Sequence, residues 1–147
     1  MTPSALDEYL HTHIPITRAM GVQTLFASAE RVELTAPLEP NINVHGTAFG
    51  GSGATLALLA AWSVLHLRLA AEGITNRLVI QRSTIDYLLP VAGDLMAVAT
   101  LDGADLDSFF ATMARRGRAR LSVSSELMFE GKVAGRLTGD FVAIAEQ

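Results

Sequence analysis

Four glycines fall within eight residues, at Gly46, Gly50, Gly51 and Gly53, in the run Asn43-Val44-His45-Gly46-Thr47-Ala48-Phe49-Gly50-Gly51-Ser52-Gly53. An apolar stretch broken only by Thr55, Ser63, His66 and Arg68 follows, to Leu69. If that stretch is a helix, the amides of Gly50, Gly51 and Ser52 stand in its first turn. Main-chain N–H groups there lack intrahelical partners, and the helix dipole adds positive potential. Such a cluster can hold an oxygen that gains negative charge during a reaction, and glycine lets a carbonyl come close to the backbone. Ser52 can add a hydroxyl donor. A plainer reading has the glycines packing a helix start against a strand, with Ser52 as an ordinary first-turn serine.

Titratable groups are sparse. His45 lies in the same loop and can act as a general base near neutral pH; as a loop histidine it can equally bond to backbone. Asp86 and Ser83 precede Pro90 on a predicted strand. Alternation puts Asp86 on one face with Arg82, Thr84 and Leu88. Turned inward, Asp86 would be an acid beside the core and a candidate base; turned outward, a solvated residue or a partner for Arg82. Arg115, Arg116, Arg118 and Arg120 put four cations within six residues, a fork suited to phosphate groups or a solvated turn at a strand edge. His11, His13, His45 and His66 show no ligand spacing with acids beyond the His11/His13 pair, and there is no cysteine. No metal site is expected, and no Ser-His-Asp motif or phosphate loop is found.

The elements that must hold these groups follow from pattern and length. The 147 residues suit a single domain over 1–147 with one core. Half the residues are hydrophobic and the net charge is −4, which excludes disorder and argues against nucleic acid as the main partner. The N-terminus lacks a basic n-region and an apolar h-region, so no signal peptide is expected. With no cysteine, a cytoplasmic location fits. In the apolar stretch Leu56, Leu58, Leu59, Trp62, Val64, Leu65, Leu67 and Leu69 point all round, so the helix must be buried on every side. A membrane span wants about 20 apolar residues; the polar interruptions, the glycines before and the strands after point instead to a sheet curled around a central helix, with no membrane insertion.

Thr2-Pro3 opens a first helix that Pro15 ends, with Leu6, Tyr9, Leu10, His13 and Ile14 on one face. Val22 to Ser28 and the alternating Val32, Leu34 and Ala36 read as a hairpin. The central helix runs from about Gly51 to Glu72, with Gly73 as cap. Strands follow at Leu78–Leu88 and Asp94–Leu101, a short helix at Asp105–Ala114, then strands at Arg118–Phe129 and Lys132–Ile144 around a Glu130-Gly131 turn. The fold class is α+β, an antiparallel sheet wrapped on one helix.

That order is similar to the hotdog fold. The loop Asn43 to Gly51 resembles the Asn-x-x-x-Thr-x-His-Gly-Gly segment of phenylacetyl-CoA-type thioesterases. It is closer to a small thioesterase-like family with an N-x-x-G-T-A-F-G-G loop, which also occurs fused behind an acetyltransferase domain, for which this chain has no room. Ile14-Pro15 to Met20-Gly21-Val22, Ile85-Asp86-Tyr87-Leu88-Leu89-Pro90-Val91, and Ala114 to Arg120 also resemble that family. The resemblance implies a homodimer or tetramer joined through its sheets. It implies an acyl thioester of coenzyme A or acyl carrier protein as ligand, coenzyme A entering only as part of the substrate, with no cofactor. The acyl chain and pantetheine would lie in an apolar tunnel at the subunit interface, lined by residues such as Phe49, Leu56 and Tyr87, with the helix start facing the thioester carbonyl. Gly50 and Ser52 would bind that carbonyl, Ser83 would lie near it, and Arg116 and Arg118 would meet the phosphates.

Two departures matter. The acid that the related thioesterases carry on the central helix falls here on Leu58, and the His of His-Gly-Gly is Phe49. Asn43 takes the position of an Asn that holds water or carbonyl in those enzymes, so Asn43, His45 or Asp86 is expected to place the water, with Gly51 polarising the carbonyl. The reading is an acyl-thioester hydrolase. The alternatives are a non-catalytic binder of acyl-CoA or another apolar ligand, which the missing acid favours, and a dehydratase or hydratase of acyl thioesters, which lacks a helix acid to pair with His45.

Overall fold

The computed structural model describes all 147 residues, Met1–Gln147. In chain order the elements are α1 (Pro3–His13), α2 (Ile16–Met20), β1 (Gln23–Ala27), β2 (Arg31–Ala36), α3 (Gly50–Ala71), β3 (Asn76–Tyr87), β4 (Leu95–Thr100), α4 (Leu106–Arg116), β5 (Arg118–Phe129) and β6 (Lys132–Ala145). The strands form one antiparallel sheet in the order β1-β2-β4-β5-β6-β3. This is the expected α+β hotdog architecture, with α3 as the central helix. β3 pairs with β6 and not with its sequence neighbour β4. The chain must therefore cross the sheet between Leu88 and Asp94, and that crossover meets the start of α3.

Local signals explain most boundaries. The Thr2 hydroxyl accepts from Ala5 N at 3.1 Å, capping α1. Pro15 ends α1 and opens α2, a five-residue helix absent from the sequence reading. Gly73 turns the chain out of α3 at φ +72°, a conformation glycine adopts without strain. Glu130 and Gly131, both with positive φ, make the two-residue hairpin between β5 and β6.

The core is one cluster of 32 buried residues centred on α3. Leu56, Leu65 and Leu69 have no exposed surface. This helix is long and apolar enough to cross a membrane, but here it is the core helix. The expected all-round burial holds less completely on one stripe, where Leu58, Trp62 and His66 are half-buried. There α1 supplies the cover: Tyr9 stacks on His66 at 5.0 Å and on Trp62 at 6.3 Å, and Trp62 Nε1 donates to Leu78 O at 3.0 Å.

Burial holds the His66 imidazole below its ordinary pKa, so the folded chain favours the neutral ring more than the unfolded chain does. Its contribution to stability is present above the ordinary histidine pKa and is lost as pH falls through the depressed one. The melting temperature is expected to fall between pH 7 and pH 5, and His66→Phe to flatten that slope; an unchanged slope would remove His66 as its source.

Candidate functional site

Residues 42–49 form a closed loop. Ile42 bridges to Ala48, Asn43 N donates to Thr47 O at 2.8 Å, and Gly46 turns at φ +78°. Asn43 is the loop's internal brace. Its Nδ2 donates to Thr47 Oγ1 and Ala48 O, while its Oδ1 accepts from the amides of His45 and Thr47, all at 2.8–3.2 Å. The loop is pinned at its far end by Ala48 N donating to Val91 O and Phe49 N donating to Asn41 O. Phe49 is therefore delivered, extended, to the N-cap of α3.

No side chain caps α3. The first helical bond runs from Gly53 N to Phe49 O, so the N–H groups of Gly50, Gly51 and Ser52 have no intrahelical acceptor. Two side chains frame this turn. Tyr87, from the end of β3, donates its hydroxyl to Gly50 O at 2.8 Å. The Phe49 ring lies over Gly51 so closely that a Cβ there would sit 2.5 Å from Cε2.

Phe49 separates two cavities. One, about 260 Å³, lies between α3 and the crossover and is walled by Tyr87, Leu88, Leu89, Pro90, Val91 and Leu127. The other, about 390 Å³, lies towards α2, and Asn41, Gly51, Ser52 and Thr55 bring polar atoms to it. A larger concavity of about 910 Å³ lies on the opposite, outer face of the sheet around Met96, Val98 and Met128. At its rim Arg31 pairs with Glu33 at 2.6 Å and Arg136 with Glu126 at 3.3 Å, while the carboxylates of Asp94 and Glu130 have no ion-pair partner. It faces no helix terminus, so the smaller pair is where a polar ligand group would be met.

The sequence candidates divide accordingly. Gly50, Gly51, Ser52, Phe49 and Tyr87 converge. The four glycines have separate causes: Gly46 makes the turn, Gly53 packs against Leu127 with 3.0 Å from a would-be Cβ to Cδ1, and Gly50 and Gly51 front the cavities. His45 is exposed at the loop tip and lines neither cavity. Asp86, whose orientation the alternation leaves open, faces outward and away from both cavities. Leu78 faces the core and Ile80, though exposed at the sheet edge, lies over Gly139 on the same side, but a bulge between Ile80 and Arg82 inserts Gln81 and reverses the alternation. Asp86 then opposes Arg136 on the outer face. The reversal turns Ser83 to the helix side, opposite the buried Gly139, yet two strand steps short of Tyr87 and outside both cavities. Leu56 is core and not tunnel wall. Arg116 and Arg118 sit beyond the C-terminal end of α3, where α4 and the end of β6 approach Glu72. Their distance from the glycines is of the order of the helix length, about 33 Å.

Sequence reasoning missed Asn41, Thr55 and the crossover residues Leu88 and Leu89. Only the fold brings them together, although Thr55 stands one turn after Ser52 and carries a spacing signal.

Gly51→Ala isolates the Phe49 contact. The new methyl must displace the ring, which is more than half exposed and free to swing. Stability should change little, and ligand affinity should fall at least about tenfold as the ring enters a cavity, a displacement worth the 1.4 kcal/mol of one decade. Adding Phe49→Ala should restore part of the loss. A titration of both proteins with a ligand checks this, and additive losses would sink it.

A family profile described as "Putative thioesterase (yiiD_Cterm)" matches residues 3–145. Among solved structures, the chain is similar to a protein of unknown function from Chlorobaculum tepidum TLS, with 29% identity, TM-score 0.89 and coverage of 99% of this chain and 98% of that one. It is also similar to a "putative thioesterase" from Shewanella oneidensis, with 26% identity, TM-score 0.86 and coverage of 97% and 96%. A thioesterase from Haemophilus influenzae, 18% identical with TM-score 0.76 over 99% and 92% of the two chains, shares the fold.

Proposed function

Since the chain belongs to the family of that profile, whose description names a thioesterase, we propose that it binds acyl thioesters at the start of α3 and hydrolyses them. The carrying observation is the set of unpartnered N–H groups of Gly50, Gly51 and Ser52 between the two cavities. A thioester carbonyl oxygen placed there would meet fixed donors with little reorganisation. The acyl chain takes the apolar cavity by Tyr87 and Leu127. At about 260 Å³ that cavity is below the 300–1,000 Å³ range of drug-sized ligands, which favours a short chain. Asn43 acts by fixing the loop, and His45 and Asp86 stay outside the water-handling set.

A second reading has support of its own. Neither cavity is lined by a carboxylate or a histidine, which favours binding without turnover. One experiment separates the two: thiol release from acyl-CoA and acyl-carrier thioesters of graded length, beside thermal shifts with the same compounds. Release with short chains supports hydrolysis. Stabilisation without release supports the binder, and neither response overturns both.

The assembly fits this reading. β3 is a twelve-residue edge strand whose Val79, Ile80 and Tyr87 are exposed. A long unpaired edge invites pairing with another strand. Antiparallel pairing of two β3 edges about Arg82 would set the Arg77 end of one copy beside the Tyr87 end of the other. Arg118, in register with Ile144 and through it with Arg77, would then approach the second copy's glycine turn and reach a ligand phosphate. The protein should sediment at twice the 15.7 kDa of one chain. Val79→Lys, which sets a charge against Ile85 of the second copy in that register and blunts the edge, should shift it towards one. A monomeric wild type would overturn the pairing.

A further inference from the structure

We infer that the outer face of the sheet is a second self-association surface, on which two copies stack with antiparallel strands about the row Arg82, Asp140 and Ser122. The inference does not depend on the thioester reading. Those three residues lie side by side on β3, β6 and β5. Two features set the face apart from a solvated one. On the α4 side of the row, Val79, Val142 and Ile144 point outward, and none of them belongs to the core cluster. Apolar side chains gathered on an outer face ask for cover. Around them stand Arg77, Arg82, Arg118 and Arg120, all exposed. The ion pairs of the chain use Arg31, Arg68 and Arg136 instead, so these four guanidiniums are free. The chain has a single lysine, Lys132, and arginine around an apolar centre is the composition of a protein interface, where lysine is depleted.

The complement of this face is the other half of the same face. On the far side of the central row stand Thr84, Thr138 and Ser124, then Asp86, Arg136 and Glu126. A two-fold axis along the row turns the cationic half of one copy onto this half of the other. Arg77 then meets Asp86, and Val79 and Val142 meet Thr84 and Thr138. These side chains are short enough for the roughly 10 Å spacing of packed sheets, and a crossing within about 30° keeps the rows opposed near the axis. Arg120 meets Ser124 and reaches Glu126. It thereby enters the outer concavity, whose wall includes Ser124, Glu126 and Thr138. Arg82 lies diagonal to Asp140, whose Oδ1 accepts from Ser122 Oγ at 2.6 Å. The edge pairing of β3 about Arg82 has its own two-fold at the same level. The two axes therefore cross, and the assembly closes at four chains.

Sedimentation of the protein over a range of concentrations tests this. Dilute wild type should run as the edge-paired two-chain species and concentrated wild type as four chains, with added salt shifting the balance back towards two. Arg120→Glu and Glu126→Arg should each weaken the step from two to four by setting like charges against each other. The axis repeats each contact, so a tenfold loss at one contact becomes about a hundredfold rise in the dissociation constant. The double variant, with both charges swapped, should recover much of that loss, which a general loss of structure would not do. Arg120 is exposed and Glu126 half-buried, so the variants should fold, and melting curves check it. A wild type that stays at two chains at every concentration overturns the stack. So do single and double variants that weaken the step alike. A wild type that passes only from one chain to two, with the same response to the charge swap, keeps the stack and removes the edge pairing.

Discussion

A Gly50→Pro protein is expected to fold like wild type and to lose about 10²–10³ in thioester turnover, the scale seen when one oxyanion donor is removed. Position and chemistry make this substitution unusually clean. Gly50 is the first residue of α3, the place where proline's fixed φ suits a helix and its missing N–H breaks no intrahelical bond. The residue before a proline must be extended, and Phe49 already is, at φ −61° and ψ 133°. A Cβ at Gly50 meets its nearest neighbour, Tyr87 Cζ, at 3.4 Å, an ordinary contact. The Gly50 carbonyl that accepts from Tyr87 is untouched. What disappears is one N–H at the mouth of the two cavities. Thiol release beside a melting curve checks it. Full turnover in a protein of unchanged stability would take Gly50 out of the donor set and leave the carbonyl to Gly51 and Ser52.

What could be read from the sequence was local. The Thr2 cap, the Gly73 stop, the alternation of β5 and the all-round apolarity of α3 each depend on a few neighbouring residues, and the structure keeps them. What could not be read depended on parity or on distance. One inserted residue, Gln81, turns Asp86 from the core to solvent, and no alternation rule counts a bulge it cannot see. Asn43 shows the same limit for a side chain: an amide that braces its own loop and an amide that holds a ligand are the same letter in the chain. Chemistry alone assigns Arg116 and Arg118 to a ligand's phosphates, and the length of α3 separates them from the glycines within one copy. Asn41 was invisible because only the packing of α2 and the loop around it brings it to the wall of the α2-side cavity.

Leu127 is where core packing and ligand choice meet, and Leu127→Ala should change both. The side chain is 4% exposed, it is packed between Gly53 of α3 and Gly135 of β6, with Cδ1 at 3.0 and 3.2 Å from the would-be Cβ atoms, and it also walls the apolar cavity. Glycine on both sides means that no neighbouring side chain can grow into the space. The truncation should therefore sit towards the upper part of the roughly 2–5 kcal/mol range for buried leucines. At about 2–4 °C per kcal/mol for a domain of this size, the melting temperature should drop by on the order of 10 °C. The vacated volume opens into the acyl cavity, so the same variant should accept longer or branched acyl groups relative to short ones. Leu127→Met, which conserves volume, should cost less than about 1.5 kcal/mol and leave the chain preference in place. Melting curves and a chain-length series on the three proteins check both halves together. Loss of stability with an unchanged length profile would show that the cavity beside Leu127 does not hold the acyl chain, and would move that chain to the α2 side of Phe49.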